Sequence, residues 1–184
     1  MKTESTVKYV LRLALTLFAI AGIVALALAA VNMVTAPAIE KLNAEKTQQA
    51  IEAVLPGGFD EEITDYADAT GLVSKVYKGQ SGYALEVKPS GFDNTITMMV
   101  GVDFDGNILG ISIVSHTETA GLGAVAAAKT SAGEAFRGQF VGKSGTVTVT
   151  KDGGEIEAIT GATITSRAIC VGINAALDCV GGLG

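Results

Sequence analysis

Between Arg12 and Glu40 the chain has no charged residue, reading LALTLFAIAGIVALALAAVNMVTAPAI from Leu13 to Ile39. No soluble domain of this size needs an unbroken apolar run of that length, so it limits the rest of the chain more than any other feature. Leu13 to Val34 alone makes a helix of roughly 33 Å at about 1.5 Å per residue, enough to cross a bilayer. It also explains why only 17% of the 184 residues are charged while 48% are hydrophobic.

A cleaved export signal is the competing reading, since Ala25-Leu26-Ala27 and Ala27-Leu28-Ala29 offer small residues at cleavage-like spacing. Such a signal has an apolar region of only about 7 to 15 residues followed by a polar stretch. Here the run continues past both sites, which favours a retained anchor. No cysteine lies near the N-terminus to carry a lipid. Lys2, Lys8 and Arg12 precede the span, whereas the sequence after it is mixed in sign, so the tail is expected in the cytoplasm and the remainder outside, at the cell (inner) membrane. Taking those three bases and Glu4 from the totals of 13 basic and 19 acidic residues leaves 10 and 18, a net charge of −8 for the exported part. That acidity argues against nucleic acid or anionic lipid as a partner.

The expected organisation is a tail over 1–12, a transmembrane helix over 13–34, a helical linker over 35–58 closed by Leu55-Pro56-Gly57-Gly58, and a folded domain over 59–184. In that domain the periodicity turns to two. Strand-like runs at 76–78 and 83–87 flank Gly79-Gln80-Ser81-Gly82, and those at 95–102 and 108–114 flank Asp105-Gly106-Asn107. A third hairpin is expected to join 146–150 to 156–159 through Asp152-Gly153-Gly154. Helices are expected over 124–135 and 165–180, the second with Ile169, Ile173, Leu177 and Val180 along one stripe. An antiparallel sheet of about five or six strands with segregated helices defines an α+β fold. Cys170 and Cys179, nine residues apart on one helix, point in opposite directions at about 100° per residue and read as small buried side chains. No metal-ligand spacing occurs, and His116 is the one histidine.

Two loops carry candidate chemistry. Ser115 to Ala124, SHTETAGLGA, sets His116, Glu118 and Thr119 beside Gly121 and Gly123, which suits either a ligand cradle or a helix start capped by Thr119. Thr160 to Ser166, TGATITS, places four hydroxyls around Gly161-Ala162 at a strand-to-helix junction. A helix cap needs one or two of them. A phosphate at the helix N-terminus would use the rest.

TGAT followed by Ile-Thr-Ser resembles the motif at which an ApbE-type flavin transferase attaches FMN to a threonine hydroxyl through a phosphodiester bond. SHTETAGLGA is similar to the His-x-Glu-Thr-Pro-Gly-Leu-Gly segment of the same FMN-binding domain family, and Phe136 to Phe140 with Gly142-Lys143 to its next segment. The anchor with Asn32 to Ile39 matches the membrane end of that family. Within it, the chain length favours the G subunits of the Rnf complexes, membrane ferredoxin:NAD oxidoreductases that move sodium ions or protons. The longer C subunits of the sodium-translocating NADH:quinone reductases are the alternative, and an anchored binding module without redox chemistry is a further one.

The resemblance implies Thr163 as the covalent FMN acceptor, with Thr160, Gly161, Ala162 and Thr165 shaping its turn. It implies that His116, Glu118, Thr119, Gly121, Leu122 and Gly123 border the flavin, and that Lys143 meets the phosphate or the ring edge. Ala120 stands where the family often has proline, and Glu157 where it often has aspartate. The implied partners are the other subunits of an Rnf complex and the flavin transferase. Flavin carries the electrons in such a protein, so no catalytic acid–base residue and no turnover by the isolated chain are expected.

Overall fold

A computed structural model describes residues 3–183 of the chain. The chain divides into two compact units, Met1–Glu45 and Lys46–Gly184. Helix α1, Thr3–Val54, contains both the apolar run and the pattern at 38–54, with Pro37 inside it. In the first unit the apolar side chains Leu17, Phe18, Ile20, Ile23 and Leu26 are exposed all round the helix, as a surface for hydrocarbon requires. The hydroxyls of Thr16 and Thr35 donate to the carbonyls of Arg12 and Val31, one turn back, so neither presents an unpaired donor to lipid.

The second unit is built on a five-stranded antiparallel sheet in simple sequence order, β1 Glu61–Ile63, β2 Val73–Lys78, β3 Gly82–Val87, β4 Thr97–Asp103 and β5 Ile108–Ser115. The register aligns Val76 with Leu85, Leu85 with Val100 and Val100 with Ile111, which puts these side chains on one face. That face packs against Ile169 and Ile173 of helix α3, Thr163–Gly181, and against Phe136 of helix α2, Ser131–Gly138. The opposite face, with Tyr77, Ala84 and Met99, is covered by Ala50, Ile51, Val54 and Leu55 from the end of α1. The middle of the sheet is therefore covered on both faces, and every residue of β3 is buried. Gly101 in β4 marks the closest approach. A Cβ there would lie 2.1 Å from the Val54 carbonyl oxygen.

The fold is α+β, and the first two expected hairpins form β2–β3 and β4–β5. The third does not form. Val149 and Ile156 make one isolated parallel bridge, and residues Thr150–Asp152 coil into a 3-10 turn. Side chains of α3 replace the missing ladder: Asn174 Oδ1 accepts from the Val147 N–H at 2.8 Å, and its Nδ2 donates to the Val147 carbonyl at 3.0 Å. The fifth strand is instead the three-residue β1.

The alanine-rich run expected as one helix over 124–135 also divides. A 3-10 helix occupies Gly123–Ala127, and α2 starts afresh after Thr130, whose hydroxyl accepts from the Gly133 N–H. Arg137 holds the break open by donating to the carbonyls of Ala126 and Ala128. Helix α3 is long and apolar enough to resemble a second span, yet it is largely buried within the domain. Cys170 and Cys179 are free and buried there, and burial pushes the Cys170 thiol up to about 11.

Candidate functional site

One end of α3 meets three loops around a cleft of about 280 Å³. The loop after β5 contributes Glu118, Thr119, Leu122 and Gly123; the α3 start contributes Gly161 to Thr165; Phe92 and Lys151 complete the wall. Gly161 is left-handed at φ 77°, and a Cβ there would lie 2.9 Å from Leu122 Cδ2, so glycine lets the two loops close together.

The hydroxyls of TGATITS divide into distinct duties, and none caps the helix. Ala162 is the residue at the cap position, without a side-chain bond, so the first N–H groups of the 19-residue α3 have no capping oxygen. Ser166, wholly buried, accepts from the Ile159 N–H and donates to the Ala162 carbonyl, both at 3.0 Å, which fixes the preceding turn. Thr165, 1% exposed, donates to Glu118 Oε2. Thr163 is half-buried on the cleft, and its Oγ1 accepts from Lys151 Nζ at 3.2 Å. Thr160 is exposed and lies outside the cleft lining.

Glu118 ties the cleft together. Its Oε1 accepts from the N–H groups of Phe92 at 2.9 Å and Asp93 at 3.4 Å, while Oε2 accepts from Thr165, so one buried carboxylate joins three separate segments. Two glycines make room for it, since a Cβ on Gly91 would come within 2.3 Å of Oε1 and one on Gly123 within 2.5 Å of Oε2. His116 stands behind this knot rather than on the cleft, and its Nδ1 accepts from the Glu118 N–H at 3.2 Å. Thr119 does not cap the following 3-10 helix with its side chain. Its carbonyl instead receives the N–H groups of Leu122 and Ala124, closing the turn with Ala120 at the position where the resemblance leads one to expect proline.

Of the residues expected at the site, Thr163, Gly161, Ala162, Thr165, Glu118, Thr119, Leu122 and Gly123 line the cleft, whereas Thr160, Gly121, His116 and Lys143 do not. Lys143 pairs with Glu155 on a separate groove, and Lys151 is the lysine that reaches the cleft. Sequence reasoning missed Lys151 because its turn resembled a hairpin. It also missed Phe92 and Ile164, exposed apolar side chains whose role emerges only once the loops converge. Glu157 is fastened through its backbone, donating to Gln139 Oε1 at 2.7 Å and accepting from Nε2 at 3.2 Å, with its side chain exposed.

The donor set suits a flavin mononucleotide. Uncapped helix N–H groups and a lysine lie at one side of the cleft for a phosphate, and Phe92, Leu122 and Ile164 offer apolar surface to a ring. Among the described residues Glu118 is the only carboxylate in the lining, and its oxygens are already engaged. An apolar anchoring helix followed by such a domain defines a class, the anchored flavin carriers. Residues 91–178 match the FMN-binding domain, a segment that holds every residue lining the cleft.

Over 96% of its length the chain is 36% identical to the G subunit of a Na(+)-translocating ferredoxin:NAD(+) oxidoreductase complex from Acetobacterium woodii, covering 94% of that protein. It is 31% identical to the G subunit of an ion-translocating oxidoreductase complex from Methanosarcina acetivorans, over 94% of this chain and 95% of the relative. The corresponding protein of Pseudomonas aeruginosa is 31% identical over 90% of this chain and 85% of its own. The chain belongs to the family of G subunits of the ion-translocating (Rnf) oxidoreductase complexes.

Proposed function

We propose that the chain is an electron-carrier subunit of a membrane ferredoxin:NAD oxidoreductase complex that couples electron transfer to ion translocation, with FMN joined by a phosphodiester to Thr163. The observation that carries the attachment point is the division of hydroxyls. Ser166 and Thr165 are buried and engaged, Thr160 lies off the cleft, and Thr163 presents its hydroxyl to the cleft at the start of α3. A phosphodiester there keeps one negative charge beside uncapped N–H groups, where the helix dipole favours it. Bound flavin supplies one- and two-electron chemistry, and the domain supplies its position and surroundings. Glu118 sets the walls, and Phe92, Leu122 and Ile164 shield a ring from water.

An ApbE-type flavin transferase is the maturation partner in this reading. The segment 13–34 spans the cell membrane, with the basic tail in the cytoplasm and the domain outside. Protease added to intact spheroplasts should then remove the domain, and protection of the domain would reverse the orientation. For the cofactor, the full-length chain is coexpressed with an active transferase and its band is viewed under ultraviolet light after denaturing electrophoresis. The wild type should fluoresce and Thr163→Val should be dark. A dark wild-type band would refute covalent attachment, and a fluorescent Thr163→Val band would move the acceptor elsewhere.

A further inference from the structure

The turn bearing Lys151 is fastened to the cleft by contacts that serve no strand. Asp152 accepts from Arg167 Nε and Nη2, each at 2.6 Å, a two-pronged bond to the second turn of α3. The same hydrogen bonds hold the Asp152 carboxyl below its usual range. On the other flank, Gly153 closes the turn at φ 86°, and Gly154 lies so near Thr148 that a Cβ would stand 2.1 Å from its carbonyl oxygen. Between these two fastenings Lys151 reaches Thr163 Oγ1 at 3.2 Å, and among the described residues it is the only cation lining the cleft.

We infer that Lys151 is the positioning residue of the phosphate arm: its ammonium holds the Thr163 hydroxyl oxygen before attachment and pairs with a non-bridging phosphate oxygen afterwards. The inference rests on Thr163 as the FMN acceptor. Esterification turns a hydroxyl oxygen into a weak acceptor and sets a negative charge within reach of the same side chain, so the ammonium passes from Oγ1 to the phosphate. Such a bond is charge-assisted on both sides and roughly twice as strong as a neutral one. In the attachment step one bond forms between Thr163 Oγ1 and phosphorus, and one phosphoanhydride bond breaks in a flavin nucleotide supplied to the transferase. The electron pair leaves with the departing nucleotide half, and the hydroxyl proton goes to a base of the transferase. Lys151 steadies the attacking oxygen and offsets charge that gathers on the phosphoryl oxygens. Arg167 and Asp152 act through it by fixing the base of its side chain.

The test is a time course of intact mass on the full-length chain in detergent, incubated with purified transferase and its flavin nucleotide, for the wild type, Thr163→Val, Lys151→Gln and Lys151→Arg. Thermal unfolding of each unloaded protein is measured beside it. The wild type should gain the FMN increment and Thr163→Val should not. Lys151→Gln should load about tenfold more slowly or worse with an unchanged unfolding midpoint, and Lys151→Arg should recover most of the rate because it keeps the charge. Loading of Lys151→Gln at the wild-type rate overturns the role of Lys151 and leaves the acceptor intact. An arginine variant as slow as the glutamine variant also overturns it, since charge would then not be the operative property. A wild type that gains no mass removes the acceptor reading and this inference with it.

Discussion

Thr163 and Thr165 are two positions apart, chemically identical and both in the wall of the cleft, yet one hydroxyl meets the Lys151 ammonium and the other a buried carboxylate. A helix turns about 200° over two residues, so the two side chains leave α3 in different directions and reach different partners. Removing the buried one costs stability, because Thr165→Val leaves Glu118 Oε2 without its hydroxyl donor. The unfolding free energy should fall by about 1–3 kcal/mol, read from denaturant unfolding monitored by circular dichroism. No change in stability would mean that Glu118 is satisfied by its backbone donors alone. The motif singled out Thr163 in the sequence as the proposed acceptor, but the distinct duties of its neighbours were not legible there. Glu118 lies 47 residues from Thr165, and Lys151 is 12 residues from Thr163, distances that local pattern does not bridge.

Among the elements, hairpins β2–β3 and β4–β5 were legible because Gly-rich and Asp-Gly turn chemistry sits between alternating runs. The segment 146–159 has the same local signals and folds otherwise, since Asn174 on α3 takes the Val147 backbone groups that a partner strand would have satisfied, while Arg167 holds the turn by the Asp152 side chain. Tertiary hydrogen bonding overrides strand propensity there. The split of the alanine run at Thr130 had a legible cap, but the Arg137 bonds that hold it had no local signal. Packing between α1 and β4 offers a direct test. Gly101→Ala would drive a methyl group into the Val54 carbonyl, and overpacking of this kind costs about 1–3 kcal/mol, measurable as a lower unfolding midpoint. An unaltered midpoint would show that the end of α1 rests loosely on the sheet.

On the scale of the molecule, acid sensitivity follows from Glu86, buried on β3. Burial works to raise its carboxyl, but hydrogen bonds from Ser74 and Lys88 with the Lys88 charge outweigh it, and the net shift is downward. A carboxyl lowered on folding adds stability above its unfolded value, near about pH 4.5, and loses that contribution as pH falls through the folded value. Glu86→Gln should therefore lower the unfolding midpoint at pH 7 and flatten its decline from about pH 5 downward; parallel curves for the two proteins would discount Glu86. The anchor itself was legible at once, because no folded domain hides such an apolar run. The residues that follow it were harder to apportion. Ala50, Ile51, Val54 and Leu55 carry the helical periodicity of a linker and yet form one face of the domain core.

That last packing fixes where the chain can be cut. A water-soluble version beginning at Lys46 keeps the cover over Tyr77, Ala84 and Met99, whereas one beginning at Phe59 bares them as an adhesive apolar face. The longer fragment should elute as a monomer in size-exclusion chromatography and the shorter one should aggregate, with equal behaviour of the two showing the cover to be dispensable. The last turns of the anchoring helix are thus structural parts of the flavin domain, and a truncation placed at the visible end of that helix removes core along with tether.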